Sequence, residues 1–121
     1  MKTIVTMALN PAIDKGSSVA HVVAERKLYC NPPRFESGGG GVNVSRAIKK
    51  LAGESILLYP AGGLTGERLQ ELLNQEGLDH RPFPIEGLTR ESLVILESPP
   101  AGSIVLECRD RSFKKKNGNN P

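Results

Sequence analysis

The chain has 121 residues, enough for one domain at the usual size of about 100–200 residues. With 38% apolar residues and 13 glycines its composition is globular, which excludes disorder throughout. The formal net charge of +3 is confined to the last fifth: from Ser98 on there are five basic residues against two acidic, whereas Met1 to Glu97 holds 11 of each, so the body presents no basic face for nucleic acid.

Thr3 to Leu9 is apolar and β-branched and reads as a buried strand. Asn10-Pro11 ends it, because proline disfavours helical geometry in the residue before it. The same stretch has the outline of a secretion signal, but its apolar run is short, is interrupted by threonine and meets no small-residue cleavage site. No run approaches the ~18 apolar residues of a membrane span. Cys30 and Cys108 stand far apart without a His or Cys neighbour, so they read as free thiols in a reducing compartment and not as a metal site. A soluble cytoplasmic protein with neither membrane nor nucleic-acid partner is expected.

Ser17 to Val23 and Arg26 to Cys30 read as two more strands, and Asn31-Pro32-Pro33 breaks the chain. Behind Gly38 to Gly41 comes an amphipathic helix with Val44, Ala47, Ile48 and Leu51 on its apolar face, Ser45, Arg46, Lys49 and Lys50 turned away, and Gly53 as its stop. Ser55 to Tyr59 is a buried strand. Thr65 caps a second helix, Gly66 to Glu76, with Leu69, Leu72 and Leu73 as its buried stripe and Gly77 as its stop. A weak strand follows at Arg81 to Ile85. This alternation builds a parallel sheet covered by helices. Ser92 to Glu97 and Ser103 to Cys108 form a hairpin around Pro99-Pro100-Ala101-Gly102. Together with the strands before the glycines they make a small sheet projecting from the main one. Arg109 to Pro121 has no period and no apolar face and is expected to be disordered.

Ordering four consecutive glycines costs backbone entropy, so the run needs a purpose. A phosphate loop would end in Gly-Lys-Ser/Thr, but Val42-Asn43 follows here. A dinucleotide fingerprint would follow the first strand at once and needs glycine where Asn43 stands. A slack linker would not abut a well-patterned helix. What remains is a loop whose bare backbone approaches a ligand, with N–H groups beside a helix N-terminus that favours anions and oxygen acceptors. Asn43 either caps that helix or offers its amide to polyol hydroxyls. Asp14, in "NPAID", lies at the carboxyl end of the first strand, where open α/β sheets bind ligands. It either forms a turn or accepts sugar hydroxyl hydrogens.

The stretches "LNPAID", "FESGGGGVNVSRAIKKLAG", "YPAGGLTGERLQELLNQEGL" and "EGLTRESLVILE" resemble the N-terminal part of the ribokinase/PfkB family of carbohydrate kinases. The likeness runs from Met1 to Glu97, and the Gly-Gly-x-Gly-x-Asn run resembles the family's first signature. It implies an α/β, ribokinase-like fold: a parallel sheet with flanking helices plus a small β-sheet lid, from about residues 10–35 and 91–108, that often pairs with its counterpart in a homodimer. It places Asp14, Gly38, Gly39 and Asn43 at the sugar, and Lys27 and Arg90 near its phosphate. The implied chemistry is phosphoryl transfer from ATP, with Mg2+, to fructose 6-phosphate; fructose 1-phosphate and tagatose 6-phosphate remain open as alternatives.

The resemblance also says what is missing. The family's catalytic base lies in a second signature, Gly-Ala-Gly-Asp, in its C-terminal half, and no such run occurs in these 121 residues. No catalytic or metal-binding residue is therefore assigned, and the chain is expected to be inactive alone. The alternative is a non-catalytic module that binds sugar phosphate or pairs with a complete kinase. The likeness fades after Glu97, which divides the chain into a sugar-binding part, 1–97, and a divergent strand with a basic tail, 98–121. A frameshift or premature stop would produce both the fading and the charge shift.

Overall fold

Strands joined through helices pair in parallel, and strands without helices gather in a second sheet. The computed structural model describes residues 3–97 and 105–109. In chain order they form β1 (Ile4–Met7), β2 (Ala12–Val19), β3 (Arg34–Gly38), α1 (Gly40–Lys50), β4 (Ser55–Ala61), α2 (Gly63–Glu76), β5 (His80–Pro84), β6 (Arg90–Glu97) and β7 (Val105–Arg109). The main sheet has the order β1-β4-β5, all parallel. The small sheet has the order β3-β2-β6-β7, with β2 antiparallel to β3, parallel to β6, and β6 antiparallel to β7. The fold is α/β, as the strand–helix alternation predicts. The turn expected at Pro99-Pro100-Ala101-Gly102 and the tail from Asp110 on lie outside the described residues.

Successive strand residues point to opposite faces, and β4 separates them cleanly. Leu57, Tyr59 and Ala61 are buried in one cluster with Val42 of α1 and with Leu69, Leu72 and Leu73 of α2. Both helices therefore cover the same face of the main sheet. On the opposite face Val5 and Met7 of β1 stay 54% and 56% exposed, and no helix covers them among the described residues. Ile13 of β2 joins the core cluster, so α2 packs against the root of the small sheet as well as the main one.

Five expectations need correction. The first strand is not buried along its length: in β1 only Thr6 is buried, and Ile4, Val5 and Met7 are exposed. The strand expected at Ser17 to Val23 is β2, which starts at Ala12 and ends at Val19: Ala12 and Ile13 bury their side chains and carry the strand straight out of Asn10-Pro11. Arg26 to Cys30 is no strand but an open stretch of the β2–β3 connection, and the partner of β2 is Arg34–Gly38, running directly into the glycines. In α1 the buried side chains are Val42 and Ser45, while Val44 and Leu51 are exposed. The helical period is right and its phase is not. Gly41 lets α1 press its first turn onto β1, which turns Val42 inward and brings Ser45 Oγ into a hydrogen bond with Thr6 Oγ1 that satisfies both buried hydroxyls. Finally, α2 starts at Gly63, with Thr65 inside it donating to the Thr89 carbonyl at 2.7 Å. Gly77 ends α2 in the left-handed region, φ 74°, as expected.

A polar relay running from the buried Tyr59 to the exposed Asn74 ties β5 to the core. The Tyr59 hydroxyl lies 2.7 Å from His80 Nδ1, and His80 Nε2 lies 2.6 Å from Asn74 Oδ1. An amide oxygen only accepts, so Nε2 carries the proton and the neutral ring takes the Tyr59 hydrogen at Nδ1. Burial lowers the His80 pKa below its ordinary 6.5 and pushes Tyr59 up to about 12. The unfolded chain therefore binds a proton at His80 more readily than the folded one. This contribution to stability is complete above pH 6.5 and is lost as the pH falls from there through the lowered folded value. Melts at about pH 7.5 and about pH 5.5 should show that decline, and His80→Asn should flatten it; an equal decline in the variant would assign the effect elsewhere.

Candidate functional site

The register of the small sheet lays out a floor of three rows. Ala12 lies between Gly38 and Arg90, Asp14 between Glu36 and Ser92, and Gly16 between Arg34 and Val94. Cross-strand partners share a face, so Arg90, Asp14, Glu36, Ser92, Arg34 and Val94 stand on one side of the sheet. They line a cleft of about 510 Å³ whose wall is Gly39, Gly40 and Asn43 at the start of α1.

Two glycines shape the cleft for different reasons. A Cβ on Gly38 would overlap the Asp14 carboxylate, so the bare backbone of β3 is what lets that carboxylate lie across it. Gly39 has φ 124° and a hypothetical Cβ 3.2 Å from Pro11 Cα, a conformation that L side chains rarely adopt. Gly39 is also the residue ahead of α1, with no side-chain cap. Asn43 lies one turn inside the helix, so of its two readings the cap is excluded.

Arg90 is fixed at one end of the floor by donating Nε to the Asn10 carbonyl at 3.1 Å. Arg34 stands four β2 residues further along, beside Gly16, a separation of roughly 13 Å at the usual strand rise. Lys15 touches the edge of the cleft, but its side chain belongs to the opposite face of β2, with Nζ 5.7 Å from the Phe35 ring centroid. The cleft thus mixes two carboxylates, an amide, backbone N–H groups and two guanidinium cations. Carboxylates accept hydroxyl hydrogens, and guanidinium groups hold phosphate in a bidentate fork. That set suits a phosphorylated polyol.

Of the residues singled out from sequence, Asp14, Gly39, Asn43 and Arg90 line this one cleft, and Gly38 abuts Asp14. Lys27 does not join them; it is exposed in the β2–β3 connection. Arg34, Glu36 and Ser92 were missed. Their signal was the alternation in "RFESG", legible only once Arg34–Gly38 is recognised as the strand opposite β2. Cys30 is a free, exposed thiol. Among the described residues no group of three or more His, Cys, Asp or Glu is placed to hold a metal, and no helix is long and apolar enough to cross a membrane.

Known proteins share this sequence pattern and fold. The chain is 45% identical over 98 residues to ATP-dependent 6-phosphofructokinase isozyme 2 of Mycobacterium tuberculosis, covering 81% of this chain and 29% of that protein. It is 41% identical over 93 residues to the isozyme 2 enzyme of Escherichia coli, covering 77% of this chain and 30% of that protein. The crystal structure of Escherichia coli phosphofructokinase-2 in complex with fructose 6-phosphate superposes with a TM-score of 0.79 at 36% identity, over 88% of this chain and 35% of that one. The chain thus spans about a third or less of the length of these relatives. Residues 7–115 match the model of the pfkB family of carbohydrate kinases, and the chain belongs to that family.

Proposed function

We propose that this chain is the sugar-phosphate-binding portion of a 6-phosphofructokinase-type kinase and holds fructose 6-phosphate in the cleft over β2. The observation that carries the reading is the convergence of Asp14, Asn43 and Arg90 on one cleft around a glycine-built wall. Asp14 accepts sugar hydroxyl hydrogens, the Gly39 and Gly40 backbone and Asn43 hold the ring, and Arg90 takes the phosphate. Lys27, outside the cleft, belongs to the proposal only through its resemblance to a basic residue near the phosphate.

ATP is the phosphoryl donor implied by the relatives' names. No residue of this chain is assigned to MgATP in this reading: the sequence has neither a Gly-Lys-Ser/Thr loop nor a Gly-Ala-Gly-Asp run. The chain's part in the chemistry is to bind and orient the acceptor sugar. Proton removal belongs to a base of the Gly-Ala-Gly-Asp type, which these residues do not include. Pairing of two small sheets in a homodimer, and a cytoplasmic setting, belong to the same proposal.

Calorimetric titration tests it. Fructose 6-phosphate should bind more tightly than fructose 1-phosphate or tagatose 6-phosphate, since relatives named for those substrates match at only 26–33% identity. Arg90→Ala should weaken binding about tenfold to a hundredfold, the worth of a hydrogen bond to a charged group, and MgATP should give no turnover. Absence of any sugar-phosphate binding, or ADP formation above a buffer control, would overturn the reading.

A further inference from the structure

Behind the glycine wall, Arg46 of α1 divides its guanidinium among three partners. Nε donates to Glu76 Oε1 at 2.8 Å and Nη2 to Glu76 Oε2 at 2.9 Å, a bidentate pair with the last residue of α2. Nη2 also reaches the Ser37 carbonyl and hydroxyl oxygens, each at 3.0 Å. Nη1 donates to Asn43 Oδ1 at 2.9 Å. The Ser37 hydroxyl donates to Glu76 Oε2 at 2.6 Å, which closes the network. Its side chains are anchored: Ser37 is buried, and Arg46 and Glu76 are 30% and 29% exposed. The Arg46 hydrogen bond holds Glu76 below the usual carboxylate range, so the pair stays charged.

Arginine has five donors and no acceptor. The Asn43 atom that faces Arg46 is therefore the amide oxygen, and the –NH2 group is the end left for the cleft that Asn43 lines. We propose that Arg46, clamped by Glu76 and Ser37, is a positioning residue that fixes Asn43 as a hydrogen-bond donor to the ligand. The inference rests on the sugar-phosphate reading of the cleft and adds a polarity to it. Asp14 can only accept and the –NH2 of Asn43 only gives, so a hydroxyl lying between these two groups donates to the carboxylate and accepts from the amide. A ligand position with a lone acceptor or a lone donor cannot answer both. The same clamp joins α1, β3 and α2, so the amide keeps its orientation before any ligand arrives, which lowers the ordering cost of binding.

Asn43→Asp separates donor from acceptor. Asp has nearly the same shape and keeps an oxygen on Arg46, now as a charge-assisted contact, so the variant should melt no lower than the unaltered chain. It has no –NH2, and fructose 6-phosphate affinity should fall at least about tenfold, as far as in Asn43→Ala. Arg46→Lys, which cannot hold the fork, should weaken binding about threefold to tenfold in the unaltered chain and leave the Asn43→Ala chain unchanged. A purely structural Arg46 would weaken both backgrounds alike. Undiminished binding by Asn43→Asp, or equal losses from Arg46→Lys in the two backgrounds, would overturn the proposal while the sugar-phosphate reading stands. No binding by the unaltered chain would remove both, and is seen before any substitution is made. If Arg46→Lys fails to fold, Asn43→Asp still decides the matter because it retains the clamp.

Discussion

Gly41→Ala is expected to lower the melting temperature by about 12 °C. The added Cβ would overlap the Met7 carbonyl and lie 2.6 Å from Ala8 N. Those are backbone atoms of and just beyond β1, and they cannot swing aside as a side chain would. To admit the methyl, α1 has to lift off β1, which uncovers the fully buried Val42 and breaks the Thr6–Ser45 hydroxyl pair. Overpacking of this kind costs about 3 kcal/mol, and a chain of this size loses about 4 °C per kcal/mol. Gly40→Ala is the control: nothing lies within 4 Å of its Cβ, and alanine is the better helix former by about 1 kcal/mol. Circular-dichroism melts of the two variants beside the unaltered chain decide it. A Gly41→Ala shift no larger than that of Gly40→Ala would mean that α1 does not need the close approach.

Asp14→Ala should reduce fructose 6-phosphate affinity about a hundredfold, with the far-ultraviolet circular-dichroism spectrum preserved. A carboxylate that accepts two hydroxyl hydrogens makes hydrogen bonds worth about 1.5 kcal/mol each at the low end of the range for a charged group, about 3 kcal/mol together, and about 2.7 kcal/mol is already a factor of a hundred. Gly38→Ala attacks the same carboxylate from the neighbouring strand, because its methyl would occupy the space across which Asp14 lies. That variant keeps the charge and displaces it, so it should weaken binding in the same direction by a smaller factor. Titration of both against the unaltered chain reads the result. Affinity within twofold of the unaltered chain for Asp14→Ala would show that the carboxylate does not touch the sugar.

The four consecutive glycines were legible as a group and not as individuals. Their run before a patterned helix points to a backbone approach. Which of them opens room for a carboxylate, which takes φ 124°, and which meets a neighbouring strand depends on Asp14, Pro11 and Met7, all distant in the chain. The place of Lys27 is likewise a matter of the folded chain. Its resemblance to a phosphate-contacting residue is local, but the β2–β3 connection that carries it stays outside the cleft, whereas Arg34, which drew no attention in sequence, stands inside.

Local pattern was enough for the elements and their kind. Apolar β-branched runs, a 3.6-residue period and glycine stops report spacing along one segment, and from them follow β1, α1, β4, α2, the parallel main sheet and the placing of Asp14 and Asn43 near its carboxyl end. Phase and register needed the folded chain. That α1 buries Val42 and Ser45 and not Val44 and Leu51 was decided by Gly41 against β1. That β3 begins at Arg34 was decided by pairing with β2, and that Arg90 shares a cleft with Asp14 was decided by β2 and β6 lying side by side across nearly eighty residues of chain. A helix period is an internal property, but the direction its apolar side faces, and which residue stands opposite which across a ladder, are set by partners remote in sequence and stabilised by burial that exists only when those partners meet.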